Sequence, residues 1–165
     1  MILRNVFREA EGILVSREGS DYSLVLPASP NEYEKKAAEE FNFLLNASVG
    51  VRLPVLAEKQ ARGDCHIFLG KTKRAEKLGL ALTYAAAGSD GYYIRSDGKD
   101  LVIAGADRGT LFGVYGFFGR ALGYRYYAQG EMKIASADRL LLYEADVFEK
   151  PDIDARSFGY HDVYH

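Results

Sequence analysis

Paired carboxylates are the first residues in this 165-residue chain whose types and spacing could do chemistry. Two carboxyl groups held about 5–9.5 Å apart can cleave a sugar bond between them. Glu39 and Glu40 are neighbours on a predicted helix, so they point in different directions and read as solvated surface charges. Asp152 and Asp154 share one face of an extended segment, with no further group nearby to complete a pocket. His161 and His165 stand four apart in His161-Asp162-Val163-Tyr164-His165. On a helix they would meet at a metal; on a strand, at ~3.3 Å per residue, they lie ~13 Å apart. The helical metal motif wants Glu after its first His, and the chain has Asp162 there, so a strand is the expectation. The third histidine, His66, stands alone in a predicted strand. The expectation is no catalytic residue, no metal site and no cofactor.

Two glycine-rich turns resemble phosphate cradles only in part. Gly70-Lys71-Thr72 follows an apolar run, but a phosphate loop needs Gly five residues before Gly70, where Cys65 stands. A turn and a helix start are expected instead. Gly105-Ala106-Asp107-Arg108-Gly109 also follows a strand but misses the dinucleotide spacing. Cys65 is the only cysteine, which excludes an internal disulfide and a cysteine-rich zinc site. It reads as a buried, inert thiol at the start of the run Cys65–Leu69.

The densest signal is Arg108–Gly123. At ~100° per residue, Gly109, Gly113 and Gly116 fall on one face of a helix, with Leu111, Val114, Tyr115, Phe118 and Leu122 opposite. Three interior glycines (Gly113, Gly116 and Gly119) cost a helix ~2–3 kcal/mol relative to alanine. Something must offset that. Close approach of a strand or helix to the bare backbone is the expected reason; room for a ligand is the alternative.

These residues need elements to position them. Gly12–Arg17 and Ser23–Ala28 read as strands around the turn Glu18–Asp21. Ser29-Pro30-Asn31-Glu32 reads as a capping box opening a helix whose apolar face is Tyr33, Ala37, Phe41, Leu44 and Leu45. Glu34, Lys35, Glu39 and Asn42 fall off that face. Gly50 is the expected stop, and Val51–Ala57, broken by Pro54, a short extended segment. Cys65–Leu69 reads as a buried strand and Lys71–Leu78 as a short helix. Gly91–Arg95 and Leu101–Ala104 flank a hairpin turn, and Asp107 is placed to cap the glycine-faced helix. Tyr124–Tyr127, Glu131–Ile134 and Leu140–Tyr143 complete the strands. The expected class is α+β: a mixed, mainly antiparallel sheet with two long helices on one face, a two-layer sandwich over residues 1–150. Pro151 opens something new, so residues 151–165 read as a linker or the start of a following domain.

Composition supports a folded chain, with 48% hydrophobic and 27% charged residues. A net charge of -2 with scattered cations excludes a nucleic-acid footprint. No segment has the ~20 apolar residues of a membrane span. The N-terminus carries no signal-peptide core, which favours a cytoplasmic chain; a removed leader would make it secreted. The 12 tyrosines are unusual in number and suit sugar faces or half-buried strands.

Three pieces in order resemble the α/β domain that precedes the catalytic barrel in β-hexosaminidases, α-glucuronidases and related glycoside hydrolases. They are Leu24–Pro27 with the helix Asn31–Asn46 and Gly50-Val51-Arg52-Leu53-Pro54; the hairpin Gly91–Ile94 and Leu101–Gly105; and Arg108–Tyr115 with Leu122–Tyr127 and Gly130-Glu131. Tyr126 stands where that pattern usually has Trp, and Gln129 where Pro is common. The resemblance spans about residues 12–156. It implies a non-catalytic accessory domain that packs on a barrel of the same polypeptide, because the family's catalytic carboxylates lie on later barrel strands. It also implies that Pro151–Arg156 matches the phrase before the first barrel strand. There Arg156 would bind substrate hydroxyls once the barrel is present. The other reading is a carbohydrate-binding module that takes up oligosaccharide on exposed Tyr92, Tyr93, Tyr126 or Tyr127 with Arg125. Exposure of those rings discriminates the two.

Overall fold

Asn31 opens the first long helix, α1 (Glu32–Ser48). The computed structural model describes residues 2–126 and 132–150. The Asn31 side chain accepts from the Glu34 backbone N–H at 2.8 Å, and the Glu34 carboxylate accepts from the Asn31 N–H at 2.8 Å. The capping box therefore sits two residues later than Ser29–Glu32. The shift has a cause: Glu34 is buried and its second oxygen accepts from the Lys71 N–H at 2.7 Å. One carboxylate thus closes the helix start and ties it to a loop 37 residues away.

The sheet has seven strands in the order β1-β9-β5-β6-β4-β2-β3. They are β1 (Ile2–Ser16), β2 (Ser23–Leu26), β3 (Val55–Ala57), β4 (His66–Leu69), β5 (Tyr92–Asp97), β6 (Asp100–Gly105) and β9 (Arg139–Glu149). β7 (Arg125–Tyr126) and β8 (Met132–Lys133) form a separate small pair. The junctions from β1 to β6 are antiparallel, and those from β6 to β3 are parallel. The turn after β1 is present, with reciprocal Ser16–Gly19 backbone bonds, but the strands around it part. β1 runs along one edge beside β9, while β2 lies between β4 and β3.

The fold is the expected α+β class, and its two long helices share one face. Phe41, Leu44 and Leu45 of α1 join Leu111, Phe117 and Phe118 of α4 (Gly109–Leu122) over Leu24, Ile67, Leu69, Ile94 and Ile103 of the sheet. The opposite face is partly covered as well. Val25, Phe68, Val102 and Ala104 pack there with Ala75 of the short helix α2 (Lys73–Lys77) and with Leu80. That double covering is why β4 and β6 are buried at every position and read as continuous apolar runs. A last short helix, α3 (Tyr84–Ala87), precedes β5.

Candidate functional site

The glycine-faced helix settles against β5 and β6. A methyl group on Gly113 would come 2.6 Å from Ile103 Cγ2. On Gly116 it would strike the Tyr92 ring, and on Gly109 the Gly91 carbonyl oxygen. The bare face of α4 is thus filled by the chain itself, which is the close-packing explanation. The same holds at Gly105, where an added methyl would also meet Gly91. The turn that resembles a dinucleotide cradle has its space taken by backbone.

Asp107 does not cap this helix. It is exposed, with φ at 45°, and the residue before the first helical turn is Arg108, which makes no side-chain cap bond. Backbone and Thr110 replace the cap. Gly109 N–H donates to the Ala106 carbonyl at 2.7 Å, Arg108 N–H to the Ser89 carbonyl at 2.9 Å, and Gly105 N–H to Thr110 Oγ1 at 3.1 Å. With Gly91 pressed against Gly105 and Gly109, main-chain partners lie nearer than a carboxylate could.

At the far end of α4 a polar cluster ties helix to sheet. Arg120 donates through Nη1 to the Tyr92 hydroxyl and the Gly116 carbonyl, each at 3.1 Å, and pairs through Nη2 with Glu149 at 3.3 Å. Its Nε reaches Asn5 Oδ1 at 3.2 Å. The Tyr92 hydroxyl also donates to the Glu149 carboxylate. Burial pushes the Tyr92 phenol well above its ordinary range, so it stays a proton donor. The cluster joins β1, β5, β9 and α4 at Glu149, the last residue of β9.

The remaining candidates are dispersed. Gly70 has φ at 97°, and its neighbour Lys71 gives its N–H to Glu34, so the would-be phosphate loop holds the chain's own carboxylate. Thr72 then caps α2 by accepting from the Ala75 N–H at 3.2 Å. Glu39 is exposed, and Glu40 accepts from the Tyr115 hydroxyl at 2.7 Å. Cys65 is half-buried rather than buried, just ahead of β4, with φ at 69°. Burial first, and Asp64 second, raise its thiol, which keeps it a poor nucleophile. His66 is buried, as a strand residue. Tyr92 and Tyr93 are both buried, Tyr93 stacked on Phe148 at 4.4 Å, so neither offers a face to a sugar. Arg156, Asp152, Asp154, His161, His165 and Tyr127 lie outside the described residues. Among the described residues no three His, Cys, Asp or Glu side chains converge as a metal site, and no helix is long and apolar enough to cross a membrane.

Two positioning residues escaped the sequence reading. Glu34 and Asn42 were placed off the apolar face of α1 and are in fact buried. Asn42 donates to the Leu53 carbonyl at 2.9 Å and accepts from the Leu53 N–H at 2.8 Å, fastening the loop before β3 to the helix. Their positions eight apart, about two helical turns, were the available signal.

The family model described as glycosyl hydrolase family 67 N-terminus matches residues 18–117, more than half of the chain. The chain belongs to that family. In this member the match runs from the turn after β1 through the glycine face of α4. Among solved structures, the GH20 β-N-acetylhexosaminidase of Streptomyces coelicolor A3(2) superposes with a TM-score of 0.56 at 18% identity, over 91% of this chain and 26% of that one. The N-acetyl-β-hexosaminidase of Streptomyces plicatus gives 0.43 at 14%, over 88% and 23%. A family GH115 4-O-methyl-α-glucuronidase with specificity for decorated arabinogalactans gives 0.42 at 14%, over 68% and 14%. No curated protein matches the chain. The chain spans about a quarter of the length of the S. coelicolor enzyme, whose likeness establishes a shared fold.

Proposed function

We propose that this family 67 N-terminal domain is a non-catalytic accessory domain of a glycoside hydrolase, packed against a catalytic barrel in the same polypeptide. The observation that carries this reading is the family match itself, a model of an N-terminus covering residues 18–117. The described residues add support, since several of their carboxylates are spent on internal structure. Glu34 ties a loop, Glu149 holds the Arg120 cluster, and Asp100 accepts from Arg74 and from the His66 N–H. The domain would end near residue 150, where β9 closes the sheet, with residues 151–165 leading into the barrel. Arg156 would then contact substrate hydroxyls within the assembled enzyme. The carbohydrate-binding alternative loses Tyr92 and Tyr93 to the core.

The test is a glycosidase panel run on the purified chain, alone and joined to the domain that follows it. The expected result is no turnover by the chain alone and turnover by the joined protein, lowered when Arg156 is replaced by Ala. Turnover by the chain alone would overturn the reading. Saturable oligosaccharide binding by the chain alone, seen by isothermal titration, would favour the binding module in its place.

A further inference from the structure

On the face of the sheet away from α1 and α4, an open cleft of about 250 Å³ lies between the turn Glu58–Gln60, β4 and α2. His66, Phe68, Lys73, Arg74, Lys77 and Glu58 line it. Three cationic side chains and one carboxylate line it. The one carboxylate, Glu58, accepts from the Lys73 backbone N–H at 2.7 Å. Arg74 lies over Phe68, its Cζ 4.9 Å from the ring centroid, and reaches Asp100 at 2.7 Å and Asp97 at 3.2 Å through Nη1 alone. Its Nε and Nη2, and the Lys73 and Lys77 ammonium groups, have no partner among the described residues.

A second observation concerns the same wall. His66 is 6% exposed, and its Nε2 lies 2.8 Å from the Arg62 carbonyl, which fixes the N–H on Nε2. Nδ1 is then a buried lone pair without a partner. Such an orphan is costly to keep, and it leaves this wall short of one polar partner. Exposed lysines alone are ordinary solvated charges. Here they converge on a concave wall with an unsatisfied imidazole, an aromatic ring and an arginine whose outer edge is free.

We propose that this cleft binds a compact oxyanion on a small ligand, a carboxylate, sulfate or phosphate group. Lys73, Lys77 and the outer edge of Arg74 hold the charge, and Phe68 supplies an apolar wall. The short helix α2 contributes side chains, and its Lys73 and Ala75 amides already donate to Glu58 and Thr72. The cleft shares no residue with the glycine-faced helix, so the inference stands apart from the accessory-domain reading.

The experiment is an amide NMR titration of the full chain with inorganic phosphate, sulfate and galacturonate at fixed ionic strength, with galactose as the neutral control. Saturable shifts confined to residues around His66, Phe68 and Lys73–Lys77 are expected, with none from galactose. Saturation by phosphate and sulfate alone assigns the site to a free anion; saturation by galacturonate as well assigns it to an acidic sugar. The doubly substituted K73A/K77A chain keeps its thermal midpoint and binds about tenfold more weakly, about threefold for each exposed charge. Shifts that grow without saturating, equal shifts from galactose, or unchanged affinity in the double variant overturn the proposal.

Discussion

Gly113 and Gly119 lie on one helix and differ in what surrounds them. An alanine at Gly113 gains ~1 kcal/mol of helix propensity, yet its methyl would come 2.6 Å from Ile103 Cγ2 in the fully buried sheet. Ile103 is β-branched and stiff, so the methyl group overpacks the core at ~1–3 kcal/mol. Gly113→Ala is therefore expected to lower stability by about 1–2 kcal/mol. At Gly119 the nearest atom to an added methyl is 3.7 Å away, ordinary contact, so Gly119→Ala is expected to raise stability by ~0.5–1 kcal/mol. Chemical denaturation of both variants reads the sign directly; two changes of the same sign would refute the argument. The glycine spacing itself was legible in the sequence, as was the need for something close to it. That Tyr92 and Ile103 are that something was not, because it depends on a strand register set by distant partners.

Among elements, the polar residues of α1 carry more of the fold than its pattern showed. Helical periodicity found Ala37, Phe41, Leu44 and Leu45, all buried. It placed Asn42 off that face, where an amide is ordinarily solvated. Asn42 is 9% exposed because it satisfies both backbone groups of buried Leu53, a segment too short and too proline-bound to pair along its whole length. Asn42→Ala orphans that N–H and carbonyl, and is expected to cost about 2–3 kcal/mol. Asn46→Ala, at an exposed position of the same helix, serves as the control and is expected to stay within about 0.5 kcal/mol. Equal losses in thermal melts would show that helix propensity, not the clamp, is being measured. The capping box was misplaced by two residues for a related reason. Both Ser29–Glu32 and Asn31–Glu34 have the right types at the right spacing, and the contact to Lys71 that decides between them is invisible locally.

For the whole molecule, the class and the order of elements could be read locally, whereas the strand order could not. β1 and β9 pair across 136 residues at Arg8–Glu144, and no local periodicity encodes that. The pairing makes β9 the hinge of the sheet, since it separates β1 from β5. Without β9 the core loses Leu140, Ala145 and Val147, Tyr93 loses its stacked Phe148, and Tyr92 and Arg120 lose Glu149. β1 would be left with no partner strand, and the ion pairs Arg4–Asp146 and Arg8–Glu144 would go with it. These exposed pairs contribute little by themselves, so the apolar losses decide the outcome. A chain ending at residue 138 is thus expected to lack a cooperative thermal transition, while one ending at residue 150 keeps the midpoint of the full chain. Calorimetry of the two truncations measures this. A cooperative transition in the shorter chain would mean that β5, β6, β4 and β2 with α1 and α4 fold without β9. A collapse of the longer one would place part of the core beyond residue 150, moving the proposed boundary with it.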